Sequence, residues 1–234
     1  MVRIVKEEEH SAKRKEILKA AQHLLASKGY AQMTIQDILD SLQISKGAFY
    51  HYFRSKSALL EALVEHMQEE AERLLEPVVQ DPHLSALEKL QQVFTMLNRW
   101  KLAQKDYLLA MLSVWYDDEN AITRQKLATA AVKRFAPLLA DIVHQGLKEG
   151  VMDTDFPDQA GEVLLSLTQG LGETLAGMLL SNEPSQAVLQ RLESTIAAYN
   201  HAVERVLGAP KGSLYIVDLA TLKEWFESSR QDRL

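Results

Sequence analysis

Residues 34–56 read TIQDILDSLQISKGAFYHYFRSK, and this stretch decides the fold of the 234-residue chain. Its first half contains apolar residues at helical spacing, namely Ile35, Ile38, Leu39 and Leu42. Such spacing places all four on one side of a short helix, against a core. The stretch therefore begins with a predicted amphipathic helix.

Helix-starting residues precede both halves of the stretch. Thr34 and Asp37 have nearly the spacing and chemistry of a capping box, in which the hydroxyl accepts a free backbone N–H of the first turn. Gln43 and Ile44 interrupt the apolar repeat, and Ser45 can cap a second short helix. The sequence therefore predicts two short helices joined by a tight turn.

The second predicted helix has two distinct faces. Phe49 and Phe53 are four residues apart and should face inward. The opposite face is polar and basic and has no acid: it carries Lys46, Gly47, Tyr50, His51 and Arg54. Two helices of this kind are typical of a helix-turn-helix. On spacing alone, a solvated helical hairpin is the alternative.

The same residues resemble the DNA-binding domain of the TetR family of transcriptional repressors. The resemblance covers residues 11–75 and rests on TIQDI at 34–38, ISKGAFYHYF at 44–53 and SKSALL at 55–60. Many relatives have His where this chain has Tyr52, with the aromatic residue one position earlier. The order is inverted here, so both His51 and Tyr52 remain candidates for contact with DNA.

The resemblance implies a set of DNA-binding residues. Phosphates would be held by Thr34, Ser45, Tyr50, Tyr52 and Lys56. The residues nearest to the bases would be Lys46, Gly47, Ala48 and His51. A two-fold dimer would then read a pseudo-palindromic operator in double-stranded DNA, with half-sites roughly 34 Å apart.

Charge is distributed unevenly along the chain. The net charge is −6, yet residues 1–56 contain ten Lys or Arg and six Asp or Glu, so the remainder carries −10. This asymmetry favours a basic DNA-binding head on an acidic body. There is no Cys, which excludes disulfides, thiolate metal sites and Cys nucleophiles. No apolar run approaches 18 residues and the charged start is not a signal peptide, so we expect a soluble cytoplasmic protein without a membrane partner.

The helical patterns predict an all-α fold with three parts. Residues 1–56 should form a three-helix DNA-binding domain that begins with a flexible arm over 1–10. Residues 57–208 should form a helical bundle that binds an effector and dimerises. Residues 209–234 form a C-terminal extension with a short amphipathic helix, which Asp218 can cap.

Two prolines should interrupt the bundle. The helix that follows Ser55 or Ser57 should end at Pro77 and lead into a linker over 77–84. The helical pattern around Pro137 should kink or break.

The last two long helices of the bundle, about 158–181 and 185–207, are strongly apolar. By the family resemblance they form a four-helix dimer interface with a second copy, whereas from sequence alone they could equally be intramolecular core. The first contains four glycines, which indicate close helix contact or room for a ligand.

Large and adaptable apolar side chains in the body are candidates for an effector site: Met96, Trp100, Met111, Trp115, Tyr116 and Met178. They would also suit a packed core. The resemblance favours a small effector that changes the spacing of the paired reading heads. Metal-ligand spacing, catalytic motifs and phosphate-binding loops are missing from the sequence. We therefore predict no enzyme, no cofactor and no metal.

The sequence thus predicts a DNA-binding regulator, a homodimeric repressor that a small hydrophobic effector releases from a palindromic operator. Two other classes are open. One is a ligand-independent DNA-binding activator or structural factor, and the other is a helical protein-interaction module in which the helix-turn-helix is incidental.

Overall fold

The computed structural model describes residues 2–181, 185–218, 220–222 and 224–225. In this part of the chain all regular structure is helical and no strand occurs, so the predicted all-α fold class is confirmed. The α-helices are α1 Val2–Gln32, α2 Ile35–Leu42, α3 Lys46–Tyr52, α4 Lys56–Gln80, α5 Ala86–Ala103, α6 Lys105–Trp115, α7 Ala121–Glu149, α8 Pro157–Leu180 and α9 Ser185–Leu207. A short 3-10 helix spans Asp118–Asn120.

The chain divides into two compact units. The first comprises residues 1–69 and 104–127, and the second comprises residues 70–103 and 128–234. Helix α6 therefore packs on α1 within the first unit. The two units are defined by the contacts within each of them and not by function. The predicted boundaries of the functional domains, at residues 56 and 208, therefore stay a prediction.

The core of the first unit is built around the predicted helix-turn-helix. Its largest fully buried side chains come from α1, α2, α3, α4 and the turn after α1: Ile17, Leu18, Leu25, Met33, Ile38, Phe49, Leu59 and Leu60. On α1, Ala21 is also buried, whereas Ala20 and Leu24 are half-buried at the edge of this core.

Helix α1 is interrupted at Gly29. Gly29 has φ +73° and ψ 161°, a backbone conformation that residues with a Cβ rarely adopt. Residues 2–10, which were predicted to form a flexible arm, are helical and extend α1 towards the N-terminus, while the mobility of the arm stays a prediction. No Gly or Pro interrupts residues 2–28, and Lys, Glu and Ala have high helix propensity.

The two prolines do not end their helices. Helix α4 passes through Pro77 and runs on to Gln80, so the predicted linker is reduced to the few residues before α5. Val78 and Val79 are buried, and the Lys89 ammonium donates 2.7 Å to the Val79 carbonyl, which stabilises this last turn. Helix α7 likewise continues through Pro137, so the alternative of a break is wrong.

Helices α8 and α9 pack against each other in the core of the second unit. Gly161 allows α8 to approach α7 closely, since a Cβ there would lie 2.2 Å from the Ala136 carbonyl oxygen. Gly172 and Gly177 have open space instead, with no atom within 4 Å of a Cβ. Among the described helices, α8 is long and apolar enough to cross a membrane by length and composition, a property that core helices also have.

Residues 209–218, here called the C-terminal segment, pass through a turn at 211–213 and dock on the second unit. Leu214, Ile216 and Val217 are buried in its core. Four side chains of α5 and α9 form hydrogen bonds with the backbone of the segment. From α5, Gln91 accepts the Tyr215 N–H (2.9 Å) and donates to its C=O (3.2 Å), and Asn98 donates to the Ile216 C=O (2.6 Å). From α9, Asn200 accepts the Ile216 N–H (3.0 Å) and Glu204 accepts the Leu214 N–H (3.3 Å).

The predicted cap of the last helix is present. The Asp218 carboxylate accepts the Thr221 N–H at 2.8 Å, and Leu222 is buried in the core that the C-terminal segment joins. Trp225 packs half-buried against the same core. Leu219 and Phe226, whose spacing in the sequence places them on the same apolar side of a helix, lie outside the described residues.

Candidate nucleic-acid interface

The caps predicted for α2 and α3 fix the geometry of the turn between them. The Thr34 hydroxyl accepts the Asp37 N–H at 3.1 Å, and the Asp37 carboxylate accepts the Thr34 N–H at 2.8 Å, which completes the capping box. Gln43 ends α2 in the left-handed conformation, with φ 52°. The Ser45 hydroxyl then accepts the Ala48 N–H at 3.1 Å and starts α3.

An apolar anchor holds α3 in place. Phe49 and Phe53 are 0% and 3% exposed, and their ring centroids lie 5.8 Å apart. Since both rings point into the core of the first unit, the rotation of α3 about its axis is fixed. The predicted inward face is therefore confirmed, and the opposite face must point to solvent.

The outward face of α3 is the candidate interface. Lys46, Gly47, Tyr50, His51 and Arg54 are exposed, as the spacing predicted. Residues 41–60 contain three basic residues and no Asp or Glu. A polyanion can thus approach this face without meeting a carboxylate of α3 or its flanking turns.

The remaining predicted DNA contacts lie at the edges of this face. Ser45 is exposed, whereas Ala48 and Tyr52 are half-buried. Thr34 is exposed, but its hydroxyl also donates to Asp37 at 2.9 Å, so the one O–H donor that a phosphate could accept is used by the cap. A Cβ on Gly47 would meet no atom closer than 3.9 Å, which leaves the backbone accessible from outside.

Asp37 is held ionised by its neighbours. The Lys28 ammonium, 2.7 Å from its carboxylate, and the backbone and hydroxyl of Thr34 lower the pKa of Asp37 from 3.8 to about 2. The carboxylate at the start of α2 therefore stays charged at neutral pH and acts as a cap.

Lys56 has a partner that the sequence did not reveal. Its ammonium donates to the Tyr30 carbonyl and lies 4.0 Å from the centroid of the Tyr30 ring. The partial burial of Lys56 lowers its pKa. At the start of α4, this side chain fixes the turn after Gly29, and its remaining N–H donors are the ones that a phosphate could use.

Two residues of α1, His10 and Arg14, lie beside the candidate interface. The His10 ring lies 5.4 Å from His51 and 4.6 Å from Tyr52, measured between centroids. The Arg14 guanidinium lies 5.4 Å from the Phe53 ring centroid. Arg14 belongs to a run of three basic residues at 13–15, which could lie against a phosphate backbone and is visible in the sequence. The contacts of His10 could not be predicted, because ring contacts between distant residues have no local pattern.

The six predicted effector residues do not all belong to one unit. Met96, Trp100 and Met178 lie in the second unit, and Met178 is buried in its core. The other three belong to the first unit: Met111, Trp115 and Tyr116. Met111 is buried in the core around the helix-turn-helix, which corresponds to the packed-core alternative.

A small polar cavity of about 180 Å³ lies in the second unit where α5 faces the C-terminal segment. It is lined by Gln91, Thr95, Asn98, Arg99, Tyr215, Asp218 and Thr221, and none of the predicted effector residues is among them. In the described part of the chain, no three His, Asp or Glu side chains converge to hold a metal ion.

Comparison with known proteins matches two family models to the chain. The family described as "Bacterial regulatory proteins, tetR family" matches residues 17–63, and "Tetracyclin repressor-like, C-terminal domain" matches residues 115–174. The first match covers the whole helix-turn-helix described above.

Individual relatives agree with these models. Transcriptional regulator AcuR of Cereibacter sphaeroides is 32% identical over 91 residues, which are 39% of this chain and less than half, 41%, of AcuR. HTH-type transcriptional repressor DhaR of Mycobacterium sp. is 22% identical over 158 residues, 67% of this chain and 79% of DhaR.

A solved structure supports the fold. The crystal structure of a TetR transcription regulator from Haloarcula marismortui superposes with a TM-score of 0.60 at 23% identity, over 80% of this chain and 98% of that one. The matched proteins are transcription regulators rather than enzymes. With a capped helix-turn-helix and family models on both its N-terminal and C-terminal parts, the chain belongs to the TetR family of transcriptional regulators.

Proposed function

We propose that this protein is a homodimeric, cytoplasmic repressor that binds a palindromic operator and leaves it when a small hydrophobic effector binds. The observation that carries the proposal is the exposed, acid-free face of α3, held outward by the buried pair Phe49 and Phe53. The sign of regulation is supported by the relative DhaR, which is named a repressor.

Helix α3 enters the major groove in this proposal. Lys46, Gly47, Ala48 and His51 lie nearest to the bases, where Lys can donate to guanine and Gly lets the backbone approach. The phosphates are held at the edges of the face by Thr34, Ser45, Tyr50, Tyr52 and Lys56. For Thr34 this requires its hydroxyl to exchange a bond within the capping box for a phosphate.

Dimerisation takes place through α8 and α9. Support comes from the outer face of α8, where Gly172 and Gly177 face open space and Val163 and Leu180 are 41% and 39% exposed. Small residues allow a partner helix to approach closely, and exposed apolar side chains gain from burial. Replacing Gly177 with Leu should therefore give a monomer, measured by light scattering. Ala130, an exposed residue of α7, provides the control as Ala130→Leu.

The effector contacts the second unit through Met96, Trp100 and Met178. Met96 and Trp100 are half-buried and four residues apart on α5, so they share one side of the helix. With a releasing compound in hand, Trp100→Ala should raise the concentration needed for release and leave ligand-free DNA affinity unchanged. The same effect from Trp115→Ala alone would move the effector contact to the first unit.

The proposal is tested by selecting bound sequences from a random pool of duplexes with the purified full chain. A palindrome with half-sites one helical turn apart is expected. Lys46→Ala should relax the preference at one position of each half-site and cost about 1–3 kcal/mol of binding free energy. Lys211→Ala, an exposed lysine of the second unit, should change neither. Absence of any DNA binding at low salt would refute the proposed function.

A further inference from the structure

Three rings form a cluster between α1 and the end of α3. The His10 centroid lies 4.6 Å from that of Tyr52, and the two ring planes are tilted by 38°. His51 makes edge contacts with both, at 5.4 Å from His10 and 5.2 Å from Tyr52. Separations and angles of this kind are those at which aromatic rings attract each other.

The start of α1 is fixed against α3 and α4 by a second set of contacts. Arg14, one helical turn after His10, lies over the Phe53 ring and 3.7 Å from the Glu65 carboxylate of α4. Because α1 is helical from Val2 to the kink at Gly29, this anchor also holds His10 in place. The regular helix α1 therefore holds the ring of His10 against the end of α3.

From this arrangement we infer that His10 is a positioning residue of the DNA-reading surface, which orients His51 for its base and holds Tyr52 beside it. The inference rests on the proposed function, in which α3 reads the major groove. An exposed His on a helix would otherwise lose rotamer freedom when it meets DNA. Contacts with two neighbouring rings restrict His51 beforehand, and such preorganisation raises affinity for the site that fits.

The inference assigns different tasks to the two residues whose order is inverted in this chain. His51 is exposed and is the base contact, whereas Tyr52 is half-buried between His51 and His10, so that its ring supports His51 while its hydroxyl keeps the phosphate contact proposed above. His10 acts through these rings and touches no base in this arrangement. Its effect should accordingly appear as sequence preference at one position rather than as a uniform change in affinity.

The test compares His10→Ala with His10→Phe, which keeps a ring but removes both nitrogen atoms. Binding of the full chain is measured on the selected operator and on operators changed at the position that His51→Ala alters. His10→Ala should reduce the preference for the correct base pair about two- to tenfold, and His10→Phe should restore most of it. His23→Ala, an exposed His further along α1, is the matched control and should have no effect.

A double substitution completes the test. In the His51→Ala background, His10→Ala should cause little further loss of preference, because its effect passes through His51. Equal preference in wild type and His10→Ala would overturn the inference. A uniform loss on all sequences with a smaller salt slope, seen in both His10 variants, would also overturn it and make His10 a phosphate contact. If the wild-type chain selects no sequence, the proposed function fails and this inference fails with it.

Discussion

Replacing Gly161 with Ala tests the close contact between α7 and α8 in the second unit. An added Cβ would lie 2.2 Å from the Ala136 oxygen, 3.0 Å from its carbonyl carbon and 3.1 Å from its Cα. All three are backbone atoms, so no side chain can rotate away and α7 and α8 must separate. Overpacking of this kind costs about 1–3 kcal/mol, and the better helix propensity of Ala offsets about 1 kcal/mol. Given the severity of the overlap, we expect a net loss of about 1–2 kcal/mol.

Thermal unfolding, followed by circular dichroism at one fixed protein concentration, measures this loss. For a chain of this size the midpoint should fall by about 2–8 °C. Lys133→Ala, at an exposed position of α7, is the control and should be close to neutral, because it adds no atom to the contact between α7 and α8 and Ala has a high helix propensity. A Gly161→Ala variant as stable as the wild type would show that α7 and α8 are not in backbone contact at this position.

Three further perturbations test other parts of the molecule. Lys28→Met should raise the carboxyl pKa of Asp37 from about 2 towards 3.8 in an NMR titration. Because the pKa of Asp37 is lower in the folded state than in the unfolded state, ionised Asp37 stabilises the fold fully above the unfolded value near 3.8. This stabilisation is lost as the pH falls through about 2. An unchanged pKa of Asp37 in the variant would mean that Lys28 does not bond the carboxylate. Deleting residues 209–234 should lower the midpoint of thermal unfolding. The deletion exposes the apolar surface under the C-terminal segment and removes the backbone partners of four polar side chains. An unchanged midpoint of thermal unfolding would show that this segment is not docked on the second unit. Lys56→Ala should weaken binding to all DNA sequences and reduce the salt slope by about one, whereas an unchanged slope would limit Lys56 to its bond with Tyr30.

The helix-turn-helix could be predicted residue by residue because its determinants are local. The box formed by Thr34 and Asp37 and the cap at Ser45 each act over three residues, and each is present as expected. Phe49 and Phe53 needed nothing beyond helical period to be assigned to the core. Short-range chemistry of this kind is written directly in the sequence.

Where local rules failed, contacts distant in sequence decided the outcome. Pro77 should have ended α4, but burial of Val78 and Val79 and the bond from Lys89, ten residues after Val79, stabilise another turn. The partner of Lys56 is 26 residues away, at Tyr30. Neither contact has a spacing that could be read from the sequence.

The candidate effector residues show the same limit. Residue type selected Met96 and Met111 equally, since both are adaptable apolar side chains. The structure assigns them to different compact units, because the chain leaves the second unit after α5 and returns to it within α7. Composition carries no information on such an excursion of the chain.

The docking of the C-terminal segment has a consequence for how its sequence can vary among related chains. Amides and a carboxylate on α5 and α9 bond the peptide groups of residues 214–216, as a neighbouring strand would do in a sheet. Peptide groups are the same in every residue except proline, and the bonds at position 215 involve only the backbone. Many residue types could therefore replace the exposed Tyr215 without loss of these hydrogen bonds. A proline at 214, 215 or 216 would remove a donor and should be absent from any relative that keeps Gln91, Asn200 and Glu204.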